Sequence, residues 1–590
     1  MSGEVTGCFF GAAWVPFPVF SAVLGAAIYA LAAPQLAVSL VCNLEWTAMK
    51  SFANASLAGL LLFTSACSES NVEMGTLAAP SREGWKSAGA SPGFTLVGPN
   101  ESVRIHLVDM SGTAVHSWTS PGIPGRGRYL TERGTLLQSL IVEDHPIFYG
   151  GGMSGGIEEL DWDSTRLWEF HWDSERGINH HDIEELPNGN VLMIAWDRYT
   201  REEALAAGRD PELLAGDEFW PDAIYEIRPT RPVGGEIVWS WHAWDHLVQN
   251  FDPAAPGFGE PASRPERIDI NGDRNPDPPT EEQEQAELAQ MKALGYITGG
   301  ADDASGDGDD PEDDDPEEAA LKARIEDADW MHSNGIDYNA ELDQIAISVR
   351  RFDEVWIIDH STTTEQAASS RGGRSGKGGD LLYRWGNPYA YGMGPWDARQ
   401  LLGQHNVQWI PEGRLGAGGL LVFDNGTEKD RAWSVVKEWW APRDARGNYA
   451  REEGRPFGPA RPDWSYTAAE PTEFFSSFIS GAQRLPNGNT LICAGEQGWV
   501  FEVTPGGEVV WDWRNPYGLD PEVDEPDDGE AGPDFFPAAL FRAERYESDH
   551  LGILALRAKG ARIPIDPGSG PATNQYVEAA EAVEERSAAE

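Results

Sequence analysis

Two patterns of apolar and polar positions repeat along the chain, and both predict β-strands. In the first, apolar runs flank a tight polar turn. Leu186-Pro187-Asn188-Gly189-Asn190-Val191-Leu192 and Leu485-Pro486-Asn487-Gly488-Asn489-Thr490-Leu491 are the clear copies, and Ile410-Pro411-Glu412-Gly413 and Leu130-Thr131-Glu132-Arg133-Gly134-Thr135-Leu136 are weaker ones. Asn-Gly between apolar strands is the strongest short hairpin signal, with both turn residues expected at positive φ. In the second, a strand ends in an aromatic pair separated by one polar residue. Six copies end at His116-Ser117-Trp118, Trp168-Glu169-Phe170, Trp239-Ser240-Trp241, Tyr383-Arg384-Trp385, Trp464-Ser465-Tyr466 and Trp511-Asp512-Trp513. Each repeat then holds two strands around the turn and two before the aromatic pair. Six four-stranded repeats predict an all-β fold, a six-bladed β-propeller. The Trp residues read as packing between blades.

One hairpin carries more chemistry than the others. Asp329-Trp330-Met331-His332-Ser333-Asn334 leads into a strand, a turn near Ala340 to Asp343, and a second strand ending at Arg350. Folding it about Leu342 predicts that Asn334 lies opposite Arg350. An imidazole, an amide and a guanidinium then meet at one end, a set suited to a sulfate or phosphate oxyanion. Aligning the other hairpins on their turns puts His181, His405 and Ser480 in the register of Asn334. In a propeller the first strand of each blade lines the central bore, so these residues are expected to share one volume with His332 and Arg350. Three histidines also fit a zinc site with an open position, or a purely structural role. Arg350 opposes the metal, because a fixed cation beside a metal ion costs Coulomb energy. With an anion in the site, a neutral imidazole can act as nucleophile and a second can protonate the leaving oxygen.

Composition narrows the partners. The net charge of −52 excludes nucleic acid and disfavours anionic membrane surfaces. Cys8, Cys42 and Cys67 lie in or near N-terminal apolar segments, which leaves Cys493 alone in the body and no disulfide framework there.

Organisation along the chain follows from the same reading. Residues 1–68 hold an extension and a signal peptide. Met49-Lys50 and the apolar Leu57 to Phe63 precede Thr64-Ser65-Ala66-Cys67, which resembles a lipoprotein cleavage box with Cys67 as the lipidated residue. Translation is expected to start at Met49, and the body to be exported, periplasmic or at the cell surface, and held at a membrane. Residues 69–93 form a tether, 94–550 the propeller, and 551–590 a tail, with Phe541 to Tyr546 closing the ring. An acidic insertion occupies about 250–328; residues 302–318 carry eleven Asp or Glu and no base, the mark of a solvated loop. Asp269-Ile270-Asn271-Gly272-Asp273 hints at a calcium loop but lacks Gly at the sixth position and Glu at the twelfth. Ala441 to Asp463 reads as a loop over one face.

With these residues in place, the chain resembles the bacterial arylsulfate sulfotransferase family. The match rests on His180-His181-Asp182, on Asp329-Trp330-x-His332-x-Asn334 with Arg350 eighteen residues beyond His332, and on Gln404-His405-Asn406. The resemblance implies transfer of a sulfuryl group from a phenolic sulfate donor to a phenolic acceptor, with no metal, no cofactor and no phosphoadenosine phosphosulfate. It implies His405 as the nucleophile that carries a transient sulfohistidine. His181, His332 and Arg350 hold the sulfate oxygens and protonate the departing phenolate, Asn334 contacts the same group, and Ser480 supplies a hydroxyl. Two features depart from the family. No cysteine pair stands near the site, and little precedes Phe94 where a dimerising β-sandwich is expected, so a homodimer stays open. The rival readings are a non-enzymatic surface propeller, a sulfatase-like hydrolase of aryl sulfates, and a quinone-cofactor propeller, the last needing eight blades and an acidic metal site.

Overall fold

Six antiparallel sheets of four strands follow one another around an axis, one of them extended by a two-residue fifth strand. The computed structural model describes residues 89–568, apart from 101, 143–144, 215, 279, 281–282, 284–285, 287–288, 291–327 and 519–537. The cleavage box at Cys67, the acidic run 302–318 and the chain beyond 568 lie outside the described residues. Among the described residues no helix is long and apolar enough to cross a membrane.

The blades are numbered in chain order. Their inner strands are Leu540–Tyr546, Pro124–Leu130, Gly177–Glu185, Ser333–Asn339, His405–Trp409 and Ser480–Arg484. The first of these comes from the end of the chain and pairs with Phe94–Pro99, so blade 1 is built from both ends of the propeller. This closes the ring where expected and leaves no open sheet between first and last blades.

The core is divided into six apolar wedges, each between neighbouring blades. Middle strands are buried on both faces and read as continuous apolar runs, such as Val191–Asp197. Outer strands bury one face only, and that face is the aromatic pair: in Arg166–His171, Trp168 and Phe170 point inward while their neighbours are half-buried or exposed. The indoles also link the blades by hydrogen bonds. Trp118, Trp168, Trp241, Trp385, Trp464 and Trp511 donate to the carbonyls of Asp161, Gly234, Gly379, Pro459, Pro505 and Met110, each on the following blade, at 2.7–3.0 Å. The last bond runs from blade 6 to blade 1 and completes the circle. Burying an indole without a partner for its N–H would cost stability, so the six bonds let Trp serve where Phe would leave a carbonyl unmet.

A second circle runs near the axis. Asp182 accepts from the Ile336 N–H at 3.1 Å, Asn406 from Ala482 at 3.0 Å, and Gln483 from Arg545 at 2.8 Å; Asp337 accepts from Trp409. Each bond fixes one inner strand to the next. Asp182 further holds the Tyr129 hydroxyl at 2.7 Å and Arg542 at 2.9 Å, so it ties blades 1, 2, 3 and 4 together.

The structure corrects some sequence expectations and adds detail to others. In the Asn-Gly turns only the glycines take positive φ, 81° at Gly189 and 88° at Gly488. The turn closes by Gly189 N–H to Leu186 O and Leu186 N–H to Asn190 O, both 2.8 Å, so Asn188 stays right-handed and its side chain caps the Asn190 N–H. The calcium-like loop is occupied by arginines: Arg209 binds both carboxylate oxygens of Asp273, and Arg274 pairs with Asp210. The first part of the insertion is built into the fold, with Ile268 and Ile270 buried in the wedge between blades 3 and 4. Helix Leu551–Ala558, placed in the tail by the sequence, packs Ile553 and Leu556 into the wedge between blades 1 and 2. The loop after Ala441 crosses to blade 4, where Tyr449 donates to Gln344 at 2.8 Å.

Candidate active site

The inner strands do not run straight at one end of the bore. His181, His332, Asn406 and Ile479, in four successive blades, have φ of 53°, 52°, 56° and 41°. Non-glycine residues in this region are uncommon and concentrate at functional sites, where surrounding structure holds them. Bulges accompany the kinks. Ser333 pairs with Val349 but Gly335 pairs with Ser348, which leaves Asn334 as an extra residue. Arg350 therefore stands beside His332, to whose carbonyl its N–H donates at 3.3 Å, and not directly opposite Asn334 as a straight hairpin would require.

The kinks bring the three histidines together. The rings of His181 and His332 have centroids 4.5 Å apart, nearly perpendicular. Phe541, from the closing strand, lies 6.2 Å from His181 and 6.4 Å from His405. His181 and His405 are fully buried and His332 is 7% exposed. Burial, followed by the charge of Arg350, pushes the His405 imidazole down to about 3. Burial and the Arg350 charge also push His332 well below its ordinary value. His181 is lowered by burial, by the other histidines and by Arg126. All three rings are thus neutral imidazoles facing fixed positive charge.

Hydrogen bonds select the tautomers. His405 Nδ1 lies 2.8 Å from Asn425 Oδ1 and 3.1 Å from the Gly403 carbonyl. A carbonyl only accepts, so Nδ1 carries the hydrogen. The Asn425 amide is itself fixed, its Nδ2 donating to Ser476 O at 2.7 Å and Ser480 Oγ at 3.0 Å. Nε2 of His405 is buried with no hydrogen-bond partner and carries the lone pair. His332 donates its Nδ1 hydrogen to Asp329 Oδ2, and Asp329 Oδ1 is held by Trp196 Nε1 at 2.9 Å. Asn334 donates Nδ2 to the Gln404 carbonyl at 2.8 Å. Ser480 reaches the site through Asn425.

Sequence reasoning missed Asn425, the partnership of Asp329 with His332, Phe541 and Arg126. Asn425 lies just past the second strand of blade 5, where no repeat pattern marks it. Asp329 was visible in the motif but carried no role. Further along the same inner strands stand Glu184, Asp337 and Glu544, which burial pushes up, Asp337 and Glu544 to about 7 each.

A cavity of about 210 Å³ is lined by Arg350, Thr427, Lys429 and Ser477. A larger one, about 870 Å³, runs along Tyr199, Trp244 and Arg267 and includes none of the converging residues. The smaller cavity is the one that borders the chemistry. Among the described residues no group of three or more His, Cys, Asp or Glu side chains is arranged to hold a metal ion. The one cysteine among the described residues, Cys493, is buried and unpaired.

No curated protein matches the chain. Among solved structures, a protein of unknown function from Bacteroides caccae is 12% identical, over 77% of this chain and 98% of that one, with a TM-score of 0.34. An inactive virginiamycin B lyase from Staphylococcus aureus with quinupristin is 8% identical, over 67% and 71%, with a TM-score of 0.27. A functionally unknown protein from Desulfotomaculum acetoxidans DSM 771 is 9% identical, over 71% and 95%, with a TM-score of 0.31. The sequence pattern of arylsulfotransferase (ASST) matches residues 174–504, more than half of the chain. That span covers blades 4 and 5, nearly all of blade 3, the first three strands of blade 6, and the residues His181, His332, Asn334, Arg350, His405 and Ser480. The chain therefore belongs to the arylsulfotransferase family and is an enzyme of the sulfotransferase kind.

Proposed function

We propose that the enzyme moves a sulfuryl group from a phenolic sulfate ester to a phenolic acceptor in two steps, through an N-sulfo intermediate on His405. One observation carries the reading: a buried, neutral imidazole whose tautomer is fixed by Asn425, with the charge of Arg350 acting on it. Family membership supports sulfuryl transfer in general.

In the first step the lone pair on His405 Nε2 attacks sulfur, the N–S bond forms and the S–O bond to the phenol breaks. The phenolate leaves with the bonding electrons and takes a proton passed on by His181 or His332, whose rings rest neutral. In the second step the acceptor phenol returns a proton to that ring, its oxygen attacks sulfur, and the N–S bond breaks. Arg350 offsets the charge on the sulfuryl oxygens in both transition states, the effect expected of a fixed cation in a water-poor site. Asn334 contacts the same oxygens. Asp329 holds His332 in the tautomer whose Nε2 exchanges protons, as an orienting carboxylate does for other catalytic histidines. The sequence features around Cys67 extend the reading to an exported, lipid-anchored enzyme.

A chromogenic aryl sulfate, with and without added phenol, tests the reaction class. Phenol-dependent colour that survives a chelator agrees with transfer. Colour that needs no acceptor points to a hydrolase, and no colour points to a binding module.

A further inference from the structure

Consecutive side chains of a regular strand leave opposite faces of the sheet. His180 and His181 do not, because the backbone of His181 takes φ 53° inside a bulge. Their Nδ1 atoms come within 2.7 Å, so a single hydrogen lies between two ring nitrogens, one donating and one accepting. Behind them, His180 Nε2 stands 3.3 Å from Asp222 Oδ1. The His180 ring stacks on Trp196 with centroids 4.4 Å apart. His180 and His181 are fully buried and Asp222 is 1% exposed. Asp222 Oδ2 is pinned by the Ser333 N–H at 2.9 Å, which fixes the carboxylate against the residue that follows His332.

We propose that Asp222, His180 and His181 form a proton relay, in which His180 stores the proton that the departing phenolate takes and the acceptor phenol returns. The proposal rests on the transfer reaction above. Before the first step His180 is the imidazolium, with Nε2–H toward Asp222 and Nδ1–H toward His181, and His181 carries its hydrogen on Nε2. When the S–O bond breaks, His181 gives the Nε2 hydrogen to the phenolate oxygen and receives the Nδ1 hydrogen of His180. The Nδ1 to Nδ1 hydrogen bond persists with its donor reversed, and both rings end neutral. The acceptor phenol drives the same shifts backwards, so no proton is gained or lost over the cycle.

The arrangement explains why a second histidine is needed. A charge on His181 itself faces Arg126, His332 and His405. One ring further back, the charge meets the Asp222 carboxylate, lies within the field of Asp329, and covers the face of Trp196. The other titratable ring that acts on it is His332. His180 and Asp222 are positioning residues, since both act through His181.

The test compares His180→Asn and Asp222→Asn with the wild-type enzyme on two donors, 4-nitrophenyl sulfate and unsubstituted phenyl sulfate. Stopped-flow release of phenol in a single turnover reads the first step. A nitrophenolate leaves without help, whereas a phenolate needs its proton. The relay predicts a loss of about 10²-fold on phenyl sulfate and a few-fold at most on 4-nitrophenyl sulfate, as expected when a general acid is removed. Asp222→Asn keeps an oxygen for the Ser333 N–H and should show the same dependence, so it carries the test if His180→Asn does not fold. Equal losses on the two donors, or none, overturn the relay. A wild-type enzyme that transfers from neither donor overturns the reaction class instead.

Discussion

Asn425 Oδ1 lies 2.8 Å from His405 Nδ1 and decides which nitrogen of that ring can attack. Its other end is anchored on Ser476 and Ser480, so the amide cannot turn over without losing two bonds. Asn425→Ala frees the ring to adopt the other tautomer, although the Gly403 carbonyl still favours the working one. We expect kcat to fall by about 10²-fold, the scale of a misplaced reacting group, with KM little changed. Steady-state kinetics on an aryl sulfate checks this, and an unchanged kcat would remove Asn425 from the mechanism.

Arg350 supplies fixed charge where the sulfuryl oxygens are expected. Arg350→Gln keeps a polar side chain and removes the charge. Loss of one such group in other enzymes costs about 10²–10³ in kcat, and the same range is expected here on both half-reactions. A loss confined to KM would show that Arg350 binds the donor without stabilising the transition state.

Burial of a neutral His405 has a consequence for stability. Its folded value is about 3, against 6.5 for an exposed imidazole. Between those values the unfolded chain binds a proton that the folded chain refuses, so the folded state loses ground as pH falls below 6.5, by roughly 1.4 kcal/mol per pH unit. His405→Asn removes that term. The difference in stability between variant and wild type should move in favour of the variant from pH 7 to pH 5. Urea unfolding at three pH values measures it; parallel curves would contradict a neutral buried His405.

The circle of indoles can be tested at the closure of the ring. Trp511 bonds the Met110 carbonyl across the closure between blades 6 and 1, at 2.9 Å, and is 1% exposed. Trp511→Phe keeps most of the apolar surface and leaves a buried carbonyl unmet, which costs about 1–3 kcal/mol. Trp511→Ala adds a cavity and should cost about 3–5 kcal/mol. Denaturant midpoints report both.

The repeat was legible because propeller blades are built from local hairpins. The Asn-Gly turns and the one-sided burial of Trp168 and Phe170 leave period-two marks in the sequence. Counting back from the turns pointed to the right end of the inner strands, but the kinks fall at His181, His332, Asn406 and Ile479, so His405, Ser480 and Asn334 do not share one register. The count failed at the bulge, since an extra residue at Asn334 shifts pairing by one without any distinctive residue type. Nor could spacing find Asn425 or Asp222, whose neighbours His405 and His180 lie on other strands. The contact between His180 and His181 was hidden for the opposite reason. Adjacent residues in a strand are expected to diverge, and only the left-handed backbone at His181 turns them together.

The most direct measurement is made on the purified enzyme with a donor aryl sulfate and no acceptor, quenched and digested for peptide mass spectrometry. The account predicts the added mass of one SO₃ group on His405, discharged on brief exposure to phenol and absent from His405→Asn. Transfer that proceeds with no modification of His405, or with the group on another residue, would contradict it.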